Sequence, residues 1–137
     1  MTRDELIERV CNKVNNSDKL PVSDMENKKK CKTSDYKKGL YFLFDKNDTC
    51  IYVGKVGEGP FTSLYHRMVG HGNGSHKTKD KRWYKKVLYG KWHQFNVSGK
   101  QLALLERMAI LGMKQPIYND VDSDQETIDK INEQIVS

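Results

Sequence analysis

A glutamate inside an apolar helical stripe is the residue whose placement most demands chemistry. Residues 99–111 predict a helix opened by Ser98 with Gln101 and ended by Gly112. On its projection Glu106 falls among Leu102, Ala109 and Ile110, while Lys100 and Arg107 lie in another sector. A carboxylate there requires a cation, a donor or a proton, because an unpaired buried charge is expensive. Two readings fit. One is a salt bridge to a lysine or arginine. The other is a ligand for a hard divalent cation such as magnesium, which takes one carboxylate and fills its shell with water and phosphate oxygens. Arg67 and His71, spaced four apart, share one face of a helix over that segment. An arginine can clamp a phosphate bidentately and a histidine can take a proton near neutral pH. The competing reading of such a pair on a basic segment is a surface ion site.

Other patterns fail on spacing. His66, His71, His76 and His93 match no zinc arrangement, and Cys11, Cys31 and Cys50 contain no CxxC pair. Three widely spaced cysteines fit a reducing compartment rather than a disulfide framework. DVDSD, at Asp120 to Asp124, lacks the later glycine and glutamate of a calcium loop, and VGEGP lacks the Lys-Ser/Thr ending of a phosphate-binding loop.

The elements that must position these residues begin with a hairpin in GLYFLFDKNDTCIYVG. Leu40, Phe42 and Phe44 alternate with Tyr41, Leu43 and Asp45, and Ile51 and Val53 continue the alternation after the turn DKND. A symmetric turn sets Tyr41 directly opposite Tyr52, Phe42 opposite Ile51 and Leu40 opposite Val53. The two phenols then stand on one face, and Gly54, with no side chain, leaves room beside them for a close approach. Residues 2–15 predict an amphipathic helix with Thr2 and Glu5 as its capping pair and Leu6, Ile7, Val10 and Val14 inward. Residues 16–38 read as an irregular basic arm. A short helix follows over residues 63–69 and fails at Gly70 to Gly74. A further helix spans residues 81–89, with Trp83, Val87 and Leu88 inward and Gly90 as its stop, and a strand covers residues 92–97. A last helix begins near Ser123, with Ile128, Ile131 and Ile135 as its stripe.

The 137 residues suffice for one domain, and 31% charged against 36% hydrophobic residues fits a modest core. The formal net charge is +6, which favours polyanionic partners. The charge is clustered at Lys28, Lys29, Lys30, Lys32, Lys37 and Lys38 before the hairpin. After it come Lys77, Lys79, Lys81, Arg82, Lys85, Lys86 and Lys91, with Trp83, Tyr84 and Tyr89 interleaved. Two such runs flanking a candidate site point toward nucleic acid, with Lys28–Lys38, His76, Lys77, Lys79, Lys81 and Arg82 as its contacts. The beginning MTRDELIERV has no signal-peptide run, and no segment is long enough to span a membrane, so the expected location is cytoplasmic.

Taken in order, GLY, then YVG ten residues later, Arg67, His71, Glu106 and Asn119 in PIYN resemble the GIY-YIG nuclease family. Each triplet alone is common, and the specificity lies in the ordered set, which covers residues 39–120. Leu40 and Val53 replace isoleucines, and the segment from Gly54 to Arg67 is longer than in compact members. The resemblance implies an α+β fold, a small three-stranded antiparallel sheet flanked by helices. The N-terminal helix and basic arm (residues 1–38) and a C-terminal helix (121–137) lie outside it within one domain overall. It also implies metal-dependent phosphodiester hydrolysis, with magnesium, or manganese as substitute, held by Glu106. Tyr41 and Tyr52 match the paired motif tyrosines, Tyr41 being the expected partner of the attacking water. Arg67 matches the catalytic arginine, His71 a histidine found in some members, and Asn119 the asparagine near the site. Lys55 follows YVG where several members carry a basic or small polar residue. Neighbouring cations, Arg67, Lys55 and the metal together, are expected to lower the Tyr41 phenol from its ordinary value of about 10.

The expected activity is therefore a DNA endonuclease, restriction-type or phage-type, with a structure-specific repair nuclease or a homing-type nicking module beside it. The alternative of another class is a non-catalytic nucleic-acid-binding module on the same fold. RNA stays open as a substrate, since nothing here reports on a 2′-hydroxyl. One active site per chain cuts both strands only by dimerisation or sequential nicking, so a homodimer fits.

Overall fold

A computed structural model describes residues 2–73 and 81–119. The fold is α+β, with a four-stranded antiparallel sheet rather than three strands. Its strands are β1 (Leu20–Pro21), β2 (Gly39–Phe44), β3 (Cys50–Val56) and β4 (Tyr89–Gln94), in the spatial order β1-β4-β2-β3. The helices are α1 (Arg3–Asn15), α2 (Val22–Met25), α3 (Lys28–Cys31), α4 (Leu64–Asn73) and α5 (Gly99–Gly112). No helix among the described residues is long and apolar enough to cross a membrane.

The additional strand comes from the expected irregular arm. Leu20 and Pro21 pair with Gly90 and Tyr89, and two one-turn helices follow, with Met25 and Cys31 fully buried beneath them. Pro21 sits where a proline is tolerated, on the outermost strand. The basic run is thereby tied to the body of the domain instead of leading loosely into it.

Strand β2 lies inside the sheet, and all six of its residues are buried, which accounts for the unbroken apolar run GLYFLF. Leu40, Phe42 and Phe44 face α1 and α5, packing with Val10, Val14, Leu102 and Ile110. Tyr41 and Leu43 face α4, packing with Leu64, Met68 and Trp83. The opposed-face expectation holds, but the register does not. Tyr41 pairs with Gly54, Phe42 with Val53 and Leu43 with Tyr52. Two local features produce the shift. The turn closes asymmetrically, with the Asp45 N–H donating to the Thr49 carbonyl at 3.0 Å and Asp48 in the left-handed region at φ 58°. Ile51 is then an extra residue in β3, because Leu43 pairs with Tyr52 while Phe44 pairs with Cys50. The two displacements add to a two-residue slip, and an even slip returns the paired side chains to their expected faces, while Ile51, the extra residue, packs on the Tyr41 face instead of the Phe42 face.

Two further expectations are corrected. Residues 81–89 do not form an α-helix: Lys81–Lys86 is a 3-10 stretch and β4 already begins at Tyr89. Trp83 and Val87 are buried as expected, but Leu88 is 57% exposed. Gly90, expected as a helix stop, lies within the sheet, where a Cβ would meet Met25 Sδ at 2.6 Å. Helix α4 also does not fail at Gly70, which is buried, and it continues to Asn73. The ends of α1 and α5 agree closely with expectation. Thr2 accepts from the Glu5 N–H, and Ser98 and Gln101 form a reciprocal capping box. Cys11 joins Ile7, Val10 and Val14 on the buried face of α1, and Leu6 is only partly covered. Gly112 is the close approach between the two helices, since a Cβ there would meet Ile7 and Cys11. The expected helix from Ser123 lies outside the described residues, as do His76, Lys77 and Lys79.

Candidate active site

The hairpin and α4 build the centre of the site. Tyr41 and Tyr52 share one face but stand diagonally across the ladder, their ring centroids 6.0 Å apart and their planes 25° from parallel. Gly54 is directly opposite Tyr41, and the Tyr41 ring lies over it: a Cβ there would overlap the ring and its hydroxyl. The room expected beside Gly54 for an approaching ligand is thus filled by Tyr41 itself. From α4, His71 reaches down so that its Nε2 is 2.7 Å from the Tyr41 hydroxyl. Tyr41 is 1% exposed and His71 2%, whereas Tyr52 is half-buried. The accessible phenol of the pair is therefore Tyr52.

Electrostatics around Tyr41 oppose the expected lowering. Burial pushes its phenol well above the ordinary value, and Tyr52 and Glu106 add to the rise through charge and, for Tyr52, a hydrogen bond. Arg67 is the cation that pulls it back, and it does not prevail. Tyr41 is a neutral phenol at neutral pH.

Glu106 stands at the outer side of β3, where the backbone N–H of Lys55 donates to its carboxylate. Burial raises its pKa, and Lys55, Arg107 and Arg67 act in the opposite sense. Neither reading from the sequence excludes the other: Glu106 is surrounded by cations and is also desolvated. The fields of Arg67 and Glu106 both reach Tyr41, so residues of β2, β3, α4 and α5 are electrically one group.

Asn119 lies against the edge of β3, between Tyr52 and Gly54. Its Oδ1 accepts from the Val53 N–H at 2.9 Å, and its Nδ2 donates to the Val53 carbonyl at 2.8 Å. The neighbouring Tyr118 N–H donates to the Ile51 carbonyl at 3.1 Å. With Glu106 on the Lys55 N–H, three alternate residues of the edge strand β3 have outward backbone groups satisfied by the segment around α5. Such an edge is closed to further pairing and held in register. Asn119 is a positioning residue for the strand that carries Tyr52 and Lys55.

An aromatic stack that the sequence did not single out as part of the site completes it. Tyr52 stacks on Trp83 at 4.9 Å, and Trp83 on Tyr118 at 5.5 Å, each 21° from parallel. Trp83 also meets the His71 ring edge-on at 5.0 Å. Trp83, inward as the sequence pattern predicts, is a buried wall of the site.

The basic arm divides. Lys30 is paired with Asp24 at 2.7 Å and Lys38 with Glu58 at 2.9 Å. Lys28, Lys32 and Lys37 converge on His66 of α4, where burial and then these three charges lower the imidazole pKa. Lys29 is exposed. Lys81 and Arg82 belong to the 3-10 stretch.

No group of three or more His, Cys, Asp or Glu side chains is gathered among the described residues. A magnesium-type ion does not require one, because it keeps several waters and uses one or two carboxylates with substrate phosphates. Glu106, whose pKa burial raises against the pull of Lys55, Arg107 and Arg67, offers such an ion one desolvated carboxylate. Comparison with protein-family models, curated proteins and solved structures finds no match to this chain.

Proposed function

We propose that the protein is a metal-dependent DNA endonuclease of the GIY-YIG kind, restriction-type or phage-type. The observation that carries this reading is the convergence of Tyr41, Tyr52, Lys55, Arg67, His71 and Glu106, from four elements, around one carboxylate. A magnesium ion held by Glu106 would act as a Lewis acid toward phosphate oxygens. Arg67 and Lys55 stabilise the charge that develops on phosphorus as water attacks and the bond to the leaving 3′-oxygen breaks.

The tyrosines work as a proton path rather than as a phenolate. A water at the accessible Tyr52 gives its proton into the hydrogen-bonded pair Tyr52 and Tyr41, and Tyr41 hands its own to His71 Nε2. No free phenolate forms, which suits a buried Tyr41, and the proton ends on the imidazole. This path requires His71 to be neutral with its proton on Nδ1.

The test is cleavage of supercoiled plasmid with magnesium, manganese or EDTA, comparing wild type with Glu106→Ala and Tyr41→Phe. Nicking or linearisation that needs metal and is lost in both variants supports the reading. Wild-type cutting by Glu106→Ala overturns it. The burial of Tyr41 favours the second reading, a binding module on the same fold. That reading is supported by salt-dependent DNA binding without cleavage of plasmid, branched DNA or RNA, indifferent to metal and to Glu106.

A further inference from the structure

Phe61 is 79% exposed, an unusual state for so large an apolar side chain. It is also held there. The turn 59–62 is closed by the Thr62 N–H and hydroxyl, both donating to the Gly59 carbonyl at 3.2 and 2.6 Å. Lys37 Nζ donates to the same carbonyl at 3.2 Å, tying the basic arm to the turn.

Behind Phe61 the rings continue. The His66 ring meets Phe61 edge-on at 6.2 Å and Tyr65 at 5.3 Å. The His66 ring is itself oriented by Ser63 Oγ, 2.8 Å from its Nδ1. Cations border this row. Lys28 Nζ stands 5.9 Å from the centre of the Tyr65 ring, and Lys28, Lys32 and Lys37 all act on His66.

Rings that offer faces, bordered by lysines that follow a phosphate backbone, are the two components of a single-strand-binding surface. A duplex offers its phosphates but keeps its bases stacked, so it has use for the lysines and none for an outward phenylalanine. A protein partner that buries Phe61 would need acidic side chains against three lysines, and the chain's net charge of +6 already selects polyanions. Tyr65 and His66 precede Arg67 on α4, so one helix carries both this row and the arginine assigned to the scissile phosphate.

We infer that Phe61, with Tyr65 and His66 behind it and Lys28, Lys32 and Lys37 around it, binds an unpaired nucleotide in DNA beside the cleaved bond. This rests on the nuclease reading for the phrase "beside the cleaved bond", but not for the binding itself. The preferred substrate is accordingly DNA that carries a single-stranded or flipped-out base next to the site of attack.

The experiment is fluorescence anisotropy in EDTA with a labelled oligothymidylate and a labelled duplex of equal length. It compares wild type, Phe61→Ala and Phe61→Trp, each first checked for an unchanged melting temperature. The expected result is that Phe61→Ala binds the single strand roughly tenfold more weakly and the duplex unchanged, since one stacked base is worth about that much. Phe61→Trp keeps single-strand affinity. Equal single-strand affinity for wild type and Phe61→Ala overturns the inference. So does an equal loss on both probes, or a wild type that does not bind the single strand. Cleavage plays no part in these outcomes, so failure of the nuclease reading leaves them intact.

Discussion

The hydroxyl of Tyr41 and Nε2 of His71 stand 2.7 Å apart, both almost wholly buried, and join the central strand to α4 by a polar contact inside an aromatic cluster. Removing the hydroxyl leaves the imidazole nitrogen without that partner in a dry place. A buried group so stranded costs about 1–3 kcal/mol. Tyr41→Phe is therefore expected to lower stability in urea by that amount, and also to abolish metal-dependent nicking. A variant as stable as wild type would mean that the contact contributes nothing to folding.

Gly54 offers a second test of the same neighbourhood. A methyl group there must displace the Tyr41 ring, and overpacking of this kind costs about 1–3 kcal/mol. The expected outcome for Gly54→Ala is a lower urea midpoint together with a fall in cleavage as large as that of Tyr41→Phe. Cleavage at the wild-type rate would show that the position of Tyr41 over Gly54 is immaterial to the chemistry.

How far the sequence could be read is clearest at this hairpin. Alternation assigned its side chains to the correct faces except at Ile51, because apolar period decides that wherever the strand is regular. The partner of each residue depended on an asymmetric turn and on Ile51 as an extra residue, and neither leaves a trace in the period. The pair Leu20 and Pro21 is too short to show any period, so the fourth strand was invisible. Trp83 and Val87, four apart and both buried, satisfy a helical pattern as well as a 3-10 stretch leading to a strand. Burial wins there without specifying the backbone.

Glu106 was legible for the opposite reason. A charge in an apolar stripe is a local contradiction, and its neighbours Lys55 and Arg67 supply the cations that the contradiction demanded. The Tyr41–His71 contact was not legible, since it depends on how α4 settles on the sheet. Nor was the service of Asn119 to the edge of β3, which is a matter of backbone groups on another element.

That service predicts a separation of effects. Asn119→Ala removes two hydrogen bonds to Val53, each worth about 1 kcal/mol in net terms. Stability is expected to fall by about 1–2 kcal/mol in urea, and faster amide exchange should appear first in β3. Binding of magnesium, followed by the rise in melting temperature that it causes, should persist. Loss of the magnesium response with unchanged β3 exchange would instead make Asn119 part of the metal site.

The three thiols should be quiet. Burial raises Cys11 and Cys31 to about 11 and Cys50 to about 12. The reactive thiolate at neutral pH is then on the order of one part in a thousand or less. Ellman's reagent is expected to react slowly with the native protein and to count all three thiols at once in guanidinium. A rapid native reaction at Cys50, the least buried of them, would show that its surroundings open readily.

Glu106 yields a prediction on stability that is independent of cleavage. Its folded pKa is raised above the reference value of 4.5 by burial. The folded protein therefore binds this proton more tightly than the unfolded chain does. The favourable contribution of the protonated group is complete below 4.5 and is lost as pH rises through the folded pKa. Above that pKa the ionised carboxylate is held at a disadvantage, which a bound divalent cation relieves. Glu106→Gln keeps an acceptor for the Lys55 N–H without the charge. Without metal at neutral pH it is expected to be more stable than wild type by about 1 kcal/mol, roughly 3 °C in melting temperature. The advantage should shrink as pH falls through the folded pKa and vanish below 4.5, where the wild-type carboxylate becomes neutral in both states. Added magnesium should raise the melting temperature of wild type and leave Glu106→Gln unmoved. A variant less stable than wild type at neutral pH in EDTA would show that the surrounding cations outweigh burial, and Glu106 would then be a structural ion-pair partner rather than a carboxylate waiting for a metal.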